Sequence, residues 1–128
     1  MVKTSARFIE PMLLLSTEKL PQGSDWLYEI KLDGYRALAI KTGGQVQLRS
    51  RNDNDFSTRY APITAALRAL PDETVIDGEV VALDEEGRPS FHLLQNFGTS
   101  RAHLAFFVFD VLIFARSRCN GRDPGAKT

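Results

Sequence analysis

Residues 29–36, Glu-Ile-Lys-Leu-Asp-Gly-Tyr-Arg, set a lysine just ahead of an aspartate-glycine turn and an arginine. An ordinary lysine is almost wholly protonated at neutral pH and attacks nothing. Partial burial or a second cation lowers its proton affinity, whereas nearby phosphates raise it again unless arginine or metal offsets them. Arg36 and a bound Mg2+ suit that task, so the grouping fits a nucleophilic Lys31 that handles a nucleotide. The same residues also read as a solvated strand lysine before a common turn, because short motifs recur by chance.

Three further segments carry residue types that such chemistry uses. Ser50-Arg51-Asn52 follows an expected strand, and the planar fork of Arg51 suits phosphate oxygens. In Val75-Ile76-Asp77-Gly78-Glu79-Val80-Val81, the period of a strand puts Asp77 and Glu79 on one face of an otherwise apolar run. Charge there is costly unless neutralised, by Mg2+, a ribose hydroxyl, Lys31 or an arginine. A salt-bridged edge strand is the structural alternative. Gly78 between them permits close approach of a ligand or backbone. Phe109 sits in the apolar run 106–112; its ring suits either stacking or the core.

The elements that must position these residues follow from hydrophobic period and turn residues. Trp26 to Lys31 alternates as a strand, with Glu29 and Lys31 on one face and Trp26 as a core anchor on the other. Arg36 to Lys41 and Gln45 to Arg49 are strands joined at Gly43-Gly44, read as a tight hairpin and not a phosphate cradle, since no helix follows the glycines. Pro62 opens a helix with Ile63, Ala66, Leu67 and Leu70 on its buried side. Val75 to Leu83 is a long strand, Ser90 caps a short helix through Gln95, and Leu104 to Phe114 is a last, strongly apolar strand. Met1 to Ser24 is expected to be irregular, with residues 11–14 tucked beneath the domain, and the final dozen residues to be unstructured. Hairpin-length connections make the fold α+β with antiparallel pairing.

With these segments in this order, the chain resembles the covalent nucleotidyltransferases, and most closely the adenylation domains of bacterial ATP-dependent DNA ligases, including the ligase module of end-joining enzymes. Lys31-Leu32-Asp33-Gly34-Tyr35-Arg36 matches that family's K-x-D-G-x-R motif. Ser50-Arg51-Asn52, Asp77-Gly78-Glu79 and Phe109-Asp110 resemble its later motifs. The resemblance runs from about Pro11 to Phe114 and implies antiparallel sheets flanked by helices, a partial ATP-grasp-like adenylation domain. It implies ATP and Mg2+ as cofactors and nicked duplex DNA as partner. Lys31 is implied as the residue that takes AMP. Glu29 and the backbone at Ile30 would hold adenine, with Phe109 stacked on the ring. Arg36 and Arg51 would hold ribose or phosphates, with Arg51 also a DNA contact, and Glu79 ribose or metal, with Asp77 a second metal candidate. RNA ligases and capping enzymes share the lysine motif, and a catalytically silent nucleotide-binding module is a further alternative.

The family's later glutamate motif, lysine pair and oligonucleotide-binding fold have no counterpart after Phe114. Residues 1–114 are therefore expected to be the N-terminal portion of the domain and 115–128 a divergent basic tail. The expectation that follows is that this chain alone does not seal nicks, and that a homo-oligomer or a separate chain supplies the missing half.

Composition narrows the class without choosing among these. At 128 residues, with 43% hydrophobic and 25% charged residues, the chain is one domain or part of one. Sixteen Lys and Arg balance sixteen Asp and Glu, so net charge gives no support to a nucleic-acid partner. Cys119 is the only cysteine, which excludes an internal disulfide and fits a reducing cytoplasm. The early apolar run at 12–15 is too short for a signal core or membrane span. His92 and His103 lack partners at metal-ligand spacing.

Overall fold

The computed structural model describes residues 3–10, 24, 32–98 and 102–119. The expected strand at 26–31, and with it Trp26, Glu29, Ile30 and Lys31, lies outside the described residues, as do 11–14. Five strands form one antiparallel sheet, β1 (Tyr35–Thr42), β2 (Gln45–Ser50), β3 (Thr74–Leu83), β4 (His103–Phe114) and β5 (Ser117–Arg118), in the order β2-β1-β3-β4-β5. Between them lie α1 (Ala61–Ala66), a 3-10 turn at Leu67–Ala69, and α2 (Phe91–Gln95). The antiparallel α+β expectation is met.

β1 and β2 are joined through Gly43 and Gly44, with φ of 59° and 77°. Two consecutive left-handed residues match the twist of the paired strands, which is why glycine stands at both positions. The helix expected to run from Pro62 to Leu70 is shorter: it tightens at Leu67 and ends at Ala69, and Ala66 is exposed. Its end is held by Lys41, whose ammonium donates to the carbonyls of Arg68 at 3.0 Å and Leu70 at 2.7 Å. A buried lysine thus satisfies carbonyls that the broken helix leaves open. Ser90 caps α2 as expected, its hydroxyl accepting from the Leu93 amide at 3.3 Å.

Alternation divides the sheet into two apolar faces. Ala37, Ala39, Leu48, Ile76, Val80 and Ala82 pack with Tyr60, Ile63 and Leu94 on the helical side. Leu38, Ile40, Val75 and Ile113 face the other way, against Ala6, Phe8 and Ile9. Arg36, Asp77 and Glu79 share this second face by strand period.

The expected loose end is partly ordered, because Ser117–Arg118 pairs with the end of β4 and Lys3 bridges Ser117. Residues 120–128 lie outside the described residues. Glu73 ties this corner together. At φ 60° it occupies the left-handed region, a strain of about 1 kcal/mol or more for a side chain of this kind. That geometry lets its amide reach the Lys41 carbonyl and its carbonyl accept from Arg116, both at 2.8 Å. Its carboxylate accepts from the Thr42 hydroxyl at 2.5 Å and the Ala6 amide at 2.6 Å.

The Thr42 hydroxyl first, then the Ala6 amide, holds the Glu73 carboxyl below the ordinary value of 4.5. A depressed folded-state value means that the stabilisation is complete above 4.5 and is lost as pH falls through the depressed value. Glu73→Gln should therefore flatten the acid limb of a denaturation-midpoint profile. Superimposable acid limbs for the two proteins would remove Glu73 from this account.

Candidate functional site

The turn after Lys31 is pressed against β3. A Cβ at Gly34 would strike the carbonyl oxygen of Val80 and lie 2.8 Å from Cγ1 of Val81, so only glycine brings the chain this close. Leu32, Asp33 and Gly34 then form one wall of a cavity of about 670 Å³. Arg36, Arg51, Asn52 and Glu79 line it as well. Tyr35, Phe56 and Phe91 complete the apolar side, with Tyr35 5.1 Å from Phe91 and 5.8 Å from Phe56 between ring centres. The volume lies within the range of small-molecule sites.

The turn carrying Arg51 is shaped by Ser50, whose hydroxyl accepts from the amides of Asn54 at 3.0 Å and Asn52 at 3.3 Å. That local bond turns the chain at the end of β2 and leaves Arg51 exposed at the cavity. A second cavity of about 450 Å³, lined by residues including Leu83, Leu93 and His103, holds none of the residues expected to bind nucleotide or metal.

Arg36 is the electrostatic centre. Its Nε donates to Asp77 Oδ1 at 3.0 Å and its Nη2 to Asp77 Oδ2 at 2.6 Å, a two-pronged pair. Arg36 also sits directly opposite Glu79 across the β1–β3 ladder. Hydrogen bonding to Asp77 first, then the charges of Asp77 and Glu79, raises the Arg36 pKa against the opposing effect of burial. The guanidinium is therefore a fixed positive charge. Of the neutralising partners open to Asp77 in the sequence, arginine is the one observed.

Phe109 reaches the same side by a device that periodicity does not reveal. In the β3–β4 ladder Asp77 faces Asp110 while Gly78 faces Val108, so Phe109 is an extra residue in a bulge. The bulge brings its ring to 6.0 Å from the Arg36 guanidinium carbon, and half of Phe109 remains exposed. Phe109 does not line the 670 Å³ cavity, and its link to it is Arg36. Asp110 accepts from the Val111 amide at 2.9 Å, a local backbone role.

Arg36, Arg51 and Glu79 are thus brought to one cavity, and Asp77 and Phe109 to its Arg36 side. Glu29, Ile30 and Lys31 lie outside the described residues. Sequence reasoning missed Phe56 and Phe91 as wall residues. The only signal was nearness in sequence, Phe56 following Ser50-Arg51-Asn52 by four residues and Phe91 following the Ser90 cap.

The family model described as the ATP dependent DNA ligase domain matches residues 11–123. The chain belongs to that family. Its relatives include the multifunctional non-homologous end joining protein LigD of Pseudomonas aeruginosa, 41% identical over 107 residues, a match covering 81% of this chain and 13% of the relative. DNA ligase C2 of Mycolicibacterium smegmatis is 36% identical over 126 residues, covering 89% of this chain and 34% of the relative. Among solved structures, mycobacterial DNA ligase D complexed with ATP and MES superimposes with a TM-score of 0.60 at 40% identity, over 70% of this chain and 30% of that one. The chain therefore spans only a minor part of the length of these relatives. No helix among the described residues is long and apolar enough to cross a membrane.

Proposed function

We propose that this chain is the nucleotide-accepting N-terminal part, residues 1–114, of a DNA ligase adenylation domain, with Lys31 as the residue that takes AMP. The observation that carries the reading is the convergence of Arg36, Arg51 and Glu79, from three separate strands or strand ends, on one cavity that Leu32, the neighbour of Lys31, also lines. The complex of mycobacterial DNA ligase D with ATP supports ATP as the nucleotide.

In the proposed reaction Lys31 Nζ, having given a proton to solvent, attacks the α-phosphorus of ATP. An N–P bond forms, the bond from the α-phosphorus to the bridging oxygen breaks, pyrophosphate leaves with the electron pair, and the nitrogen gives up a second proton to pyrophosphate or solvent. AMP then passes to the 5′-phosphate of nicked duplex DNA, and the 3′-hydroxyl displaces it. Arg36 and Arg51 supply fixed positive charge toward ribose or phosphate, with Arg51 also able to meet the DNA backbone, while Phe109 offers a face to the base. Glu29 and the Ile30 backbone are proposed to hold adenine.

Magnesium takes one or two carboxylates together with phosphate oxygens and does not need a cage of side chains. Glu79 fits that requirement, and no group of three or more His, Cys, Asp and Glu able to hold an ion occurs among the described residues. Mg2+ bound there would supply charge neutralisation at the phosphates. Both Asp77 oxygens are engaged by Arg36, so Asp77 fits a metal poorly.

Glu79→Ala tests the site without depending on turnover. Losing a hydrogen bond to a charged group removes about 1.5–3 kcal/mol, so ATP affinity by calorimetry in Mg2+ should fall roughly tenfold or more while melting changes little. Unchanged ATP affinity with a lowered melting temperature would make Glu79 a structural residue. GTP binding in preference to ATP would favour a capping-type activity instead.

A further inference from the structure

We propose that Asp77 is a positioning residue that acts through Arg36 to hold Phe109 at the angle a nucleotide base requires; the idea rests on the nucleotide reading above. Asp77 is 5% exposed, in the middle of β3, directly opposite another carboxylate, Asp110. Like charges facing each other across a ladder destabilise it, and an unneutralised buried carboxylate is costlier still. A side chain kept purely for packing at this position would be apolar. The charge instead selects one orientation of Arg36, because a carboxylate and a guanidinium meet edge to edge in a common plane.

That orientation reaches Phe109. Arg36 starts on β1, extends across β3 where it meets Asp77, and brings its guanidinium carbon to 6.0 Å from the centre of the Phe109 ring on β4. The ring needs such a stop. It belongs to the bulged residue, which has no partner of its own in the β3–β4 ladder, and it is half exposed. A guanidinium against an aromatic ring is a favourable contact, and one fixed by two hydrogen bonds restrains the ring more than a free arginine would. Asp77, Arg36 and Phe109 thus form a three-strand relay in which only the last member is proposed to meet the base.

A double-mutant cycle in the full chain tests this. ATP binding is measured by calorimetry for wild type, Asp77→Asn, Phe109→Ala and the double variant, with thermal melting as control and the Arg36 Nε–H proton followed by NMR. Misplacing a contact group is expensive, so each single variant should weaken ATP by on the order of tenfold. Because the two act in series, the double variant should be no more than about twofold worse than the weaker-binding single variant. The Arg36 Nε–H resonance should carry an upfield ring shift that either single change removes. If Asp77→Asn does not fold, Arg36→Lys, which keeps the charge beside Asp77 and loses the planar fork, should give the same loss in ATP binding.

Additive losses near a hundredfold, or lowered melting with unchanged ATP affinity, overturn the relay while leaving the nucleotide reading intact. A wild-type chain that binds no ATP overturns the nucleotide reading and the relay with it.

Discussion

Gly78→Ala should be among the most destabilising single changes in the described residues, by about 3 kcal/mol, in the range known for overpacked cores. The site lies between two motif carboxylates, and β4 presses on it from the neighbouring strand. An added Cβ would run into the carbonyl oxygen of Phe107 and sit 2.9 Å from Cζ of the Phe106 ring. The first obstacle is backbone in the longest strand of the sheet, and the second is a ring packed against the helical-side core, so neither yields cheaply.

Replacing glycine in a strand also brings a gain, roughly 0.5–1 kcal/mol from reduced freedom of the unfolded chain. The clash outweighs it. For a domain of this size the net loss corresponds to a melting decrease on the order of 10 °C. Gly43→Ala is the control: its φ of 59° disfavours a side chain, yet nothing lies within 4 Å, so its cost should stay near 1 kcal/mol. A Gly78→Ala protein that melts with the Gly43→Ala protein would show that β4 does not press on β3 as described. The same change should disturb the site, since Asp77, Glu79 and the Phe109 bulge all adjoin Gly78.

What the sequence made legible depended on whether a local pattern determined the outcome. The Gly43-Gly44 hairpin, the Ser90 cap and the run of β3 each follow from neighbouring residues alone, and each is found where expected. The shared face of Asp77 and Glu79 follows from strand period in the same way. The early end of α1 was not legible, because it depends on Lys41, far away in sequence, reaching the carbonyls of Arg68 and Leu70. Likewise Ser117–Arg118 resembles solvated tail until β4 and Lys3 provide edges to pair with.

β4 is the most instructive case. Its residues are apolar on both sides except His103 and Asp110, so no alternation marks the shifts in register beside Asp77 and Val75. Those shifts decide that Phe109 turns toward Arg36. The resemblance to ligases named Phe109, but the mechanism that places it is tertiary.

Lys31 is the proposed nucleophile, and the protein itself can report on it. Adenylylation requires a lysine nucleophile, and removing its amine leaves no atom to form the N–P bond, so Lys31→Ala should abolish covalent AMP rather than reduce it. In the proposed site Arg36 and Arg51 would stabilise the phosphate charge, single electrostatic groups of that kind being worth roughly a hundredfold, but neither could replace the nucleophile. The decisive measurement is peptide mapping by mass spectrometry after the wild-type chain is incubated with ATP and Mg2+. The account predicts one AMP, on the peptide and at the side chain of Lys31, absent from Lys31→Ala. AMP on another residue, or equal labelling of the Lys31→Ala protein, would contradict it.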